Sequence, residues 1–194
     1  MLRETRSLND VGLLLLRFAL GFELFAHGMQ KFGRFGGTFG IDGKPVSGVR
    51  AIEAQAEFLD KFLGYHPSLA LSWFLTFTEL AGGALLMLGF LTPLAAAAMI
   101  GDMFNLVFGF GWQQGWFGNA GGGGYEYAIL MLGAVIAVSL LGPGRYSIDR
   151  ALGWRLTGVP WGVLGVVLGF AVGTLVLVAF GPGFGGADIP PPPG

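Results

Sequence analysis

The sequence predicts an all-α integral membrane protein: a four-helix transmembrane bundle, a fifth C-terminal transmembrane helix, and an amphipathic helix in the first loop. Three observations carry this. Hydrophobic residues make up 53% of the 194 residues and charged residues only 12%, about half the charged share of soluble domains. Mean hydropathy is +0.66. Five apolar segments, Val11–Phe32, Leu69–Leu91, Leu94–Trp112, Tyr125–Leu141 and Val159–Phe180, approach or exceed the roughly 17–25 residues that cross a bilayer.

The first segment follows Arg3 and Arg6 as a signal peptide would, but it is long, carries internal charges and lacks a small-residue cleavage site. It reads as a retained helix. Gly33–Ser68 is the only long loop. Its Gly-rich first part reads as turns. In its second part Val49, Ile52, Ala56, Leu59 and Leu63 recur at helical spacing, with Arg50, Glu53, Glu57, Asp60 and Lys61 largely elsewhere. That pattern predicts an amphipathic helix, on the membrane surface or capping the bundle.

Leu91-Thr92-Pro93 is so short a link that the second and third segments must form an antiparallel hairpin. Gly101 interrupts the third segment. Gln113 to Gly124 joins the third and fourth without a charge, and Trp112, Trp116 and Phe117 suit the membrane interface. Span five carries Gly165, Gly169 and Gly173, a small-residue ridge suited to docking another helix. The Pro/Gly-rich tail reads as extended or disordered. The division expected is a bundle over residues 1–155 and an additional helix and tail over 156–194. Arg3 and Arg6, with Arg145, Arg150 and Arg155 an even number of spans later, put the N-terminus in the cytoplasm and the C-terminus outside.

A net charge of −1 gives no electrostatic reason for nucleic-acid binding. The absence of cysteine excludes disulfides, thiolate metal sites, iron–sulfur clusters and dithiol redox chemistry within the chain.

Ionisable groups inside apolar segments resist burial in hydrocarbon and mark sites. Glu23, His27 and Lys31 are spaced i, i+4, i+8 along one helical stripe, in the same segment as Arg17. Counting 1.5 Å per residue brings Glu79, Asp102, Asn105 and Glu126 to the same half of the membrane. The candidate buried polar site is therefore Glu23, His27, Lys31, Glu79, Asp102, Asn105 and Glu126. Four carboxylates face one lysine and at most one imidazolium, so pairing is incomplete unless carboxyls are protonated or Arg17 reaches in. Interhelical pairing is the plain reading, and a proton-handling or ligand site the sharper one. A haem held by His27 and His66 finds no support in the spacing; His27 with Glu79 and Asp102 offers nitrogen and oxygen ligands that could bind a metal, a minor alternative, and no metal is expected.

The His27-Gly28-x-x-Lys31 ending of the first segment resembles the first helix of DoxX-family membrane proteins. So does Glu79-Leu-Ala-Gly82-Gly83 through Gly89-x-x-Thr92, and so do Glu126-Tyr127 and Gly142-Pro143-Gly144-Arg145-Tyr146-Ser147-x-Asp149. The resemblance covers about residues 11–152. The long first loop is similar to that of DoxD-like relatives, the large subunit of a thiosulfate–quinone oxidoreductase; the fifth segment and the tail fall outside the four-helix family core. The resemblance implies a four-helix bundle in a bacterial or archaeal inner membrane, serving respiratory or redox-stress functions.

The leading functional expectation is a quinone-associated subunit of an oxidoreductase system. His27, Lys31 and a protonated Glu79 would meet the quinone carbonyls, with Phe22, Phe25, Phe74 and Phe77 as ring neighbours. No redox centre is intrinsic to the chain, so electrons would come from a partner protein. The rivals are a non-enzymatic membrane scaffold, itself able to form homo-oligomers, and a small-solute or proton-coupled transporter. Without an evident internal repeat, the transporter is the least supported.

Overall fold

The computed structural model describes residues 2–35, 39–41, 44–118, 124–154 and 158–184. The described residues are almost entirely helical. Among the described residues four helices are long and apolar enough to cross a membrane: Leu8–Gln30, Ser68–Leu88, Thr92–Gln114 and Val159–Ala179. A fifth apolar helix, Glu126–Leu141, is shorter at 16 residues.

Helix α1 (Leu2–Gln30) leads into a loop whose expected turns contain a small antiparallel ribbon. It pairs β1 (Phe39–Ile41) with β2 (Lys44–Val46), Gly40 opposite Pro45. The amphipathic segment forms α2 (Val49–Lys61), burying Ala51, Ile52, Ala54, Gln55 and Ala56 and exposing Glu53, Glu57 and Asp60. It packs on α3 (Ser68–Phe77), where the Ser72 hydroxyl donates to the Ile52 carbonyl at 2.7 Å and lies 2.9 Å from Gln55 Oε1.

The second rod is not a uniform helix. Between α3 and α4 (Gly83–Leu88) a π-turn, Thr78–Gly82, inserts an extra residue into the ladder. After the Gly89–Leu91 turn comes α5 (Thr92–Asn105), which continues through a second π-turn, Leu106–Phe110, and a 3₁₀ turn, Gly111–Gln114. π-turns are rare and are frequent at functional sites. α6 (Glu126–Leu141), the short α7 (Ile148–Ala151) and α8 (Val159–Ala179) are the remaining helices among the described residues.

Close packing rests on glycine. A Cβ on Gly21 would stand 2.6 Å from the Gly83 carbonyl oxygen, and one on Gly83 would stand 2.5 Å from the Phe25 nitrogen, so α1 and α4 cross backbone on backbone. Gly101 does not break α5; it lies against α8, where an added Cβ would meet the Gly169 carbonyl at 3.3 Å. The expected docking ridge is used inside the chain. Added Cβ atoms on Gly165, Gly169 and Gly173 would approach the Pro93 carbonyl oxygen at 2.7 Å, Ile100 Cβ at 2.6 Å and a Phe104 ring carbon at 3.0 Å. That face of α8 is therefore closed to a partner. The main core gathers Leu20, Leu24, Leu86, Met99, Ile100, Val107, Val135 and Val138 from α1, α4, α5 with its π-turn, and α6.

Candidate functional site

Two buried polar centres sit at opposite ends of the bundle. At the Gly89 end, Arg17 is 1% exposed. It donates to the Pro143 carbonyl, to the Tyr146 carbonyl at 2.5 Å and, at 3.5 Å, to the Met87 carbonyl. Asp149 is fully buried and accepts from the Leu91 N–H at 2.8 Å and from the Thr92 N–H and hydroxyl, both at 2.9 Å. It thereby caps the start of α5 and lies within electrostatic range of Arg17. Gly89, at φ +63°, lets the chain pass over the guanidinium, since a Cβ there would stand 2.6 Å from Arg17 Cζ. Arg17 thus points away from the acid cluster and does not reach in to complete its pairing.

At the α2 end, Lys31 is 1% exposed and its Nζ lies 2.6 Å from Glu79 Oε2. Glu79 sits in the first π-turn. Asp102 lies within electrostatic range of both. One turn along, Asn105 donates to the Gly101 and Gly173 carbonyls, each at 3.0 Å, and its Oδ1 accepts from the Tyr65 hydroxyl at 2.9 Å. Every polar atom of the Asn105 amide is engaged. Burial, and then the charge of Asp102, push the Tyr65 phenol above its ordinary range, which keeps it a neutral donor.

Asp102 and Asn105 form part of the wall of a cleft of about 730 Å³. α8 packs on α5, while the α3–α4 rod packs on α1 and touches α5 through its π-turn. The cleft opens between these two attachments, with α5 at its back. Phe58, Leu59 and Tyr65 cover it from the α2 side, and Phe74, Phe77 and Phe110 supply aromatic walls. Its volume lies within the range of small-molecule sites.

The structure divides the seven residues named from sequence. Lys31, Glu79 and Asp102 converge, with Asn105 on the same wall. Glu23 and His27 pair at 3.3 Å on a half-exposed flank of α1, near Tyr127 of α6, and His27 stays within electrostatic range of Glu79. Glu126 opens α6, and its Oε2 is buried with no hydrogen-bond partner among the described residues. Phe22 stacks on Phe18 at the surface, not in the cleft. His66 pairs with Asp60 at 3.1 Å. No group of three or more His, Cys, Asp or Glu among the described residues is arranged to hold a metal ion. Asp149 and Tyr65 were not read as site residues. For Asp149 the signal was its place in the Gly142–Asp149 motif; for Tyr65 the sequence offered none.

Fold and site together define a multi-pass helical membrane protein with charged groups buried beside a side-opening cleft. The chain belongs to the DoxX family, whose pattern it matches over residues 12–112, more than half its length. The match takes in Glu23, His27, Lys31, Glu79, Asp102 and Asn105; it ends before Glu126, the Gly142–Asp149 motif and α8. Neither the curated proteins nor the solved structures contain a match to this chain.

Proposed function

We propose that this chain is the membrane subunit of a respiratory or redox-stress oxidoreductase system, and that its cleft takes the head of a quinone. The observation that carries the reading is a large apolar cleft whose wall bears a carboxyl group, Asp102, in front of a buried Lys31–Glu79 pair. Such a cleft suits an apolar ring with a few polar atoms.

A bound quinone supplies two-electron, two-proton carrier chemistry. Asp102 is the group that would meet a head oxygen: its protonated form donates to a carbonyl, its ionised form accepts from a hydroxyl. Both Asn105 N–H donors are already used and its Oδ1 accepts from Tyr65, so the two residues fix the wall beside Asp102. Lys31 and Glu79 would hold a proton behind it, whereas His27 faces a different surface. Electrons would come from a partner protein. In this reading all five apolar helices span an inner membrane of a bacterium or archaeon, the N-terminus is cytoplasmic, and α2 lies at the outer surface as an amphipathic cover.

Photolabelling tests the proposal. A photoreactive long-tailed quinone added to the purified protein should modify peptides containing Phe74–Ala81 and Leu94–Asn105, and an excess of unlabelled quinone should suppress the labelling. Asp102→Asn should retain the wild-type melting temperature and lose most of the competable labelling. Labelling that the competitor does not displace would end the proposal.

A further inference from the structure

The cleft is polar over only part of its length. A Cβ added to Gly82 would meet Ala98 Cβ at 3.4 Å, which sets Gly82 level with Ala98 across the hairpin. The α3–α4 rod and α5 run in opposite directions. Thr78, four residues before Gly82, is therefore level with Asp102, four residues after Ala98. Among the described residues the polar side chains of the cleft are Gln55, Tyr65, Thr78, Asp102 and Asn105. All of them lie at that level or on its α2 side. Towards the Gly89 end the wall is only alanine, glycine and leucine, with Ala95, Ala97 and Ala98 at the back and Leu85, Leu94 and Leu168 at the sides. From Asp102 to Leu94 is eight residues of α5, about 12 Å. Leu94 and Leu168 are 52% and 38% exposed, so this trough opens sideways to lipid. A trough without polar partners does not hold ordered water. What fits it is hydrocarbon.

We infer, resting on the quinone reading, that the trough takes the near part of the quinone's hydrocarbon tail. Two features select that occupant over a separate lipid chain. The trough is continuous with the wall that bears Asp102. A tail leaving a head held there has one open direction along the bundle, because Phe58, Leu59 and Tyr65 cover the α2 side. The ligand class is thus a long-tailed quinone dissolved in the membrane. It lies along α5 with its tail towards the Gly89 end, and passes between the α3–α4 rod and α8 from the bilayer rather than from water. Lipid is as apolar as the trough, so the tail gains packing contact and not the hydrophobic effect.

Two photoreactive probes on the purified protein separate tail from head. A long-tailed quinone with a diazirine on the first units of its tail should label peptides containing Leu85, Leu94–Ala98 and Leu168, and excess unlabelled long-tailed quinone should suppress it. A short-tailed quinone with the diazirine on its ring reports the head alone. Ala98→Phe, which fills the trough, and Leu168→Trp, on its exposed side, should each cut tail labelling several-fold. Head labelling and the melting temperature should stay at wild type. Competable tail labelling at Phe58–Leu63 instead would overturn the inference and leave the head where proposed. So would tail labelling indifferent to both variants, since a lipid chain would then fill the trough. Absence of competable head labelling would end the quinone reading itself, and the tail with it.

Discussion

Arg17 lies within α1 and Lys31 just past its end; they are equally buried, and each has a carboxylate nearby, yet they belong to different kinds of centre. Around Arg17 the partners are backbone: the Pro143 and Tyr146 carbonyls for the guanidinium, and the Leu91 and Thr92 N–H groups for Asp149. The two charges hold four stretches of chain together at the Gly89 end. Around Lys31 the partner is one side chain, Glu79, with Asp102 close by and a cleft in front. Charges that satisfy backbone are structural, because removing them orphans groups that cannot move away. Charges that satisfy only each other can be removed together, and what is then lost is chemistry.

The largest expected effect tests the first half of that contrast. Replacing both Arg17→Met and Asp149→Leu removes the charges as a pair but leaves buried carbonyls and N–H groups unmet, at about 1–3 kcal/mol each. We expect almost no monodisperse protein by fluorescence-detected size-exclusion chromatography. Recovery of a wild-type profile would show that the Gly89 end is no more structural than the α2 end. At that second end, Lys31→Met alone leaves Glu79 unpaired and should cost about 3–5 kcal/mol. Lys31→Met combined with Glu79→Met should return the melting temperature to wild type or above it, since apolar replacements of buried ion pairs are often neutral or stabilising. The same double variant should lose quinone-dependent activity. A double variant no more stable than the single one would erase the distinction between the two centres.

The smallest effect concerns the wall of the cleft. Tyr65→Phe removes the hydrogen bond to Asn105 Oδ1 and should lower stability by about 1 kcal/mol. Measured by thermal melting, a loss several times larger would mean that Tyr65 fastens the α2 side to the bundle.

The helices could be read from sequence because burial in a bilayer writes itself into long apolar runs, and α2 because its charges fall on one side. The convergence of Lys31, Glu79 and Asp102 followed from depth counting. Three features stayed hidden. The π-turns at Thr78–Gly82 and Leu106–Phe110 leave no compositional mark, and they shift which residues face inward beyond each turn. The glycine ridge of α8 announces close approach but not to what; here the answer is α5 in the same chain. Direction around the helix was the third. Arg17 and Lys31 are 14 positions apart on a common face, but only the fold shows that one reaches the α6–α7 link and the other the second rod.

The cap on α5 has a consequence for the order in which the protein is made. The N–H groups at the start of α5 are closed by a carboxylate that lies 57 residues further along the chain, and Arg17 waits 126 residues for the Pro143 carbonyl. Neither partner exists when α1, α4 and α5 leave the ribosome. The hairpin between α4 and α5 therefore enters the membrane with its turn unfinished, and Arg17 enters without its final acceptors. α6 must be in place before α7 can bring Asp149 to both. A connection made late is thus one on which the earliest helices depend, and a chain stalled before residue 143 would hold Arg17 with only the Met87 carbonyl of its three acceptors.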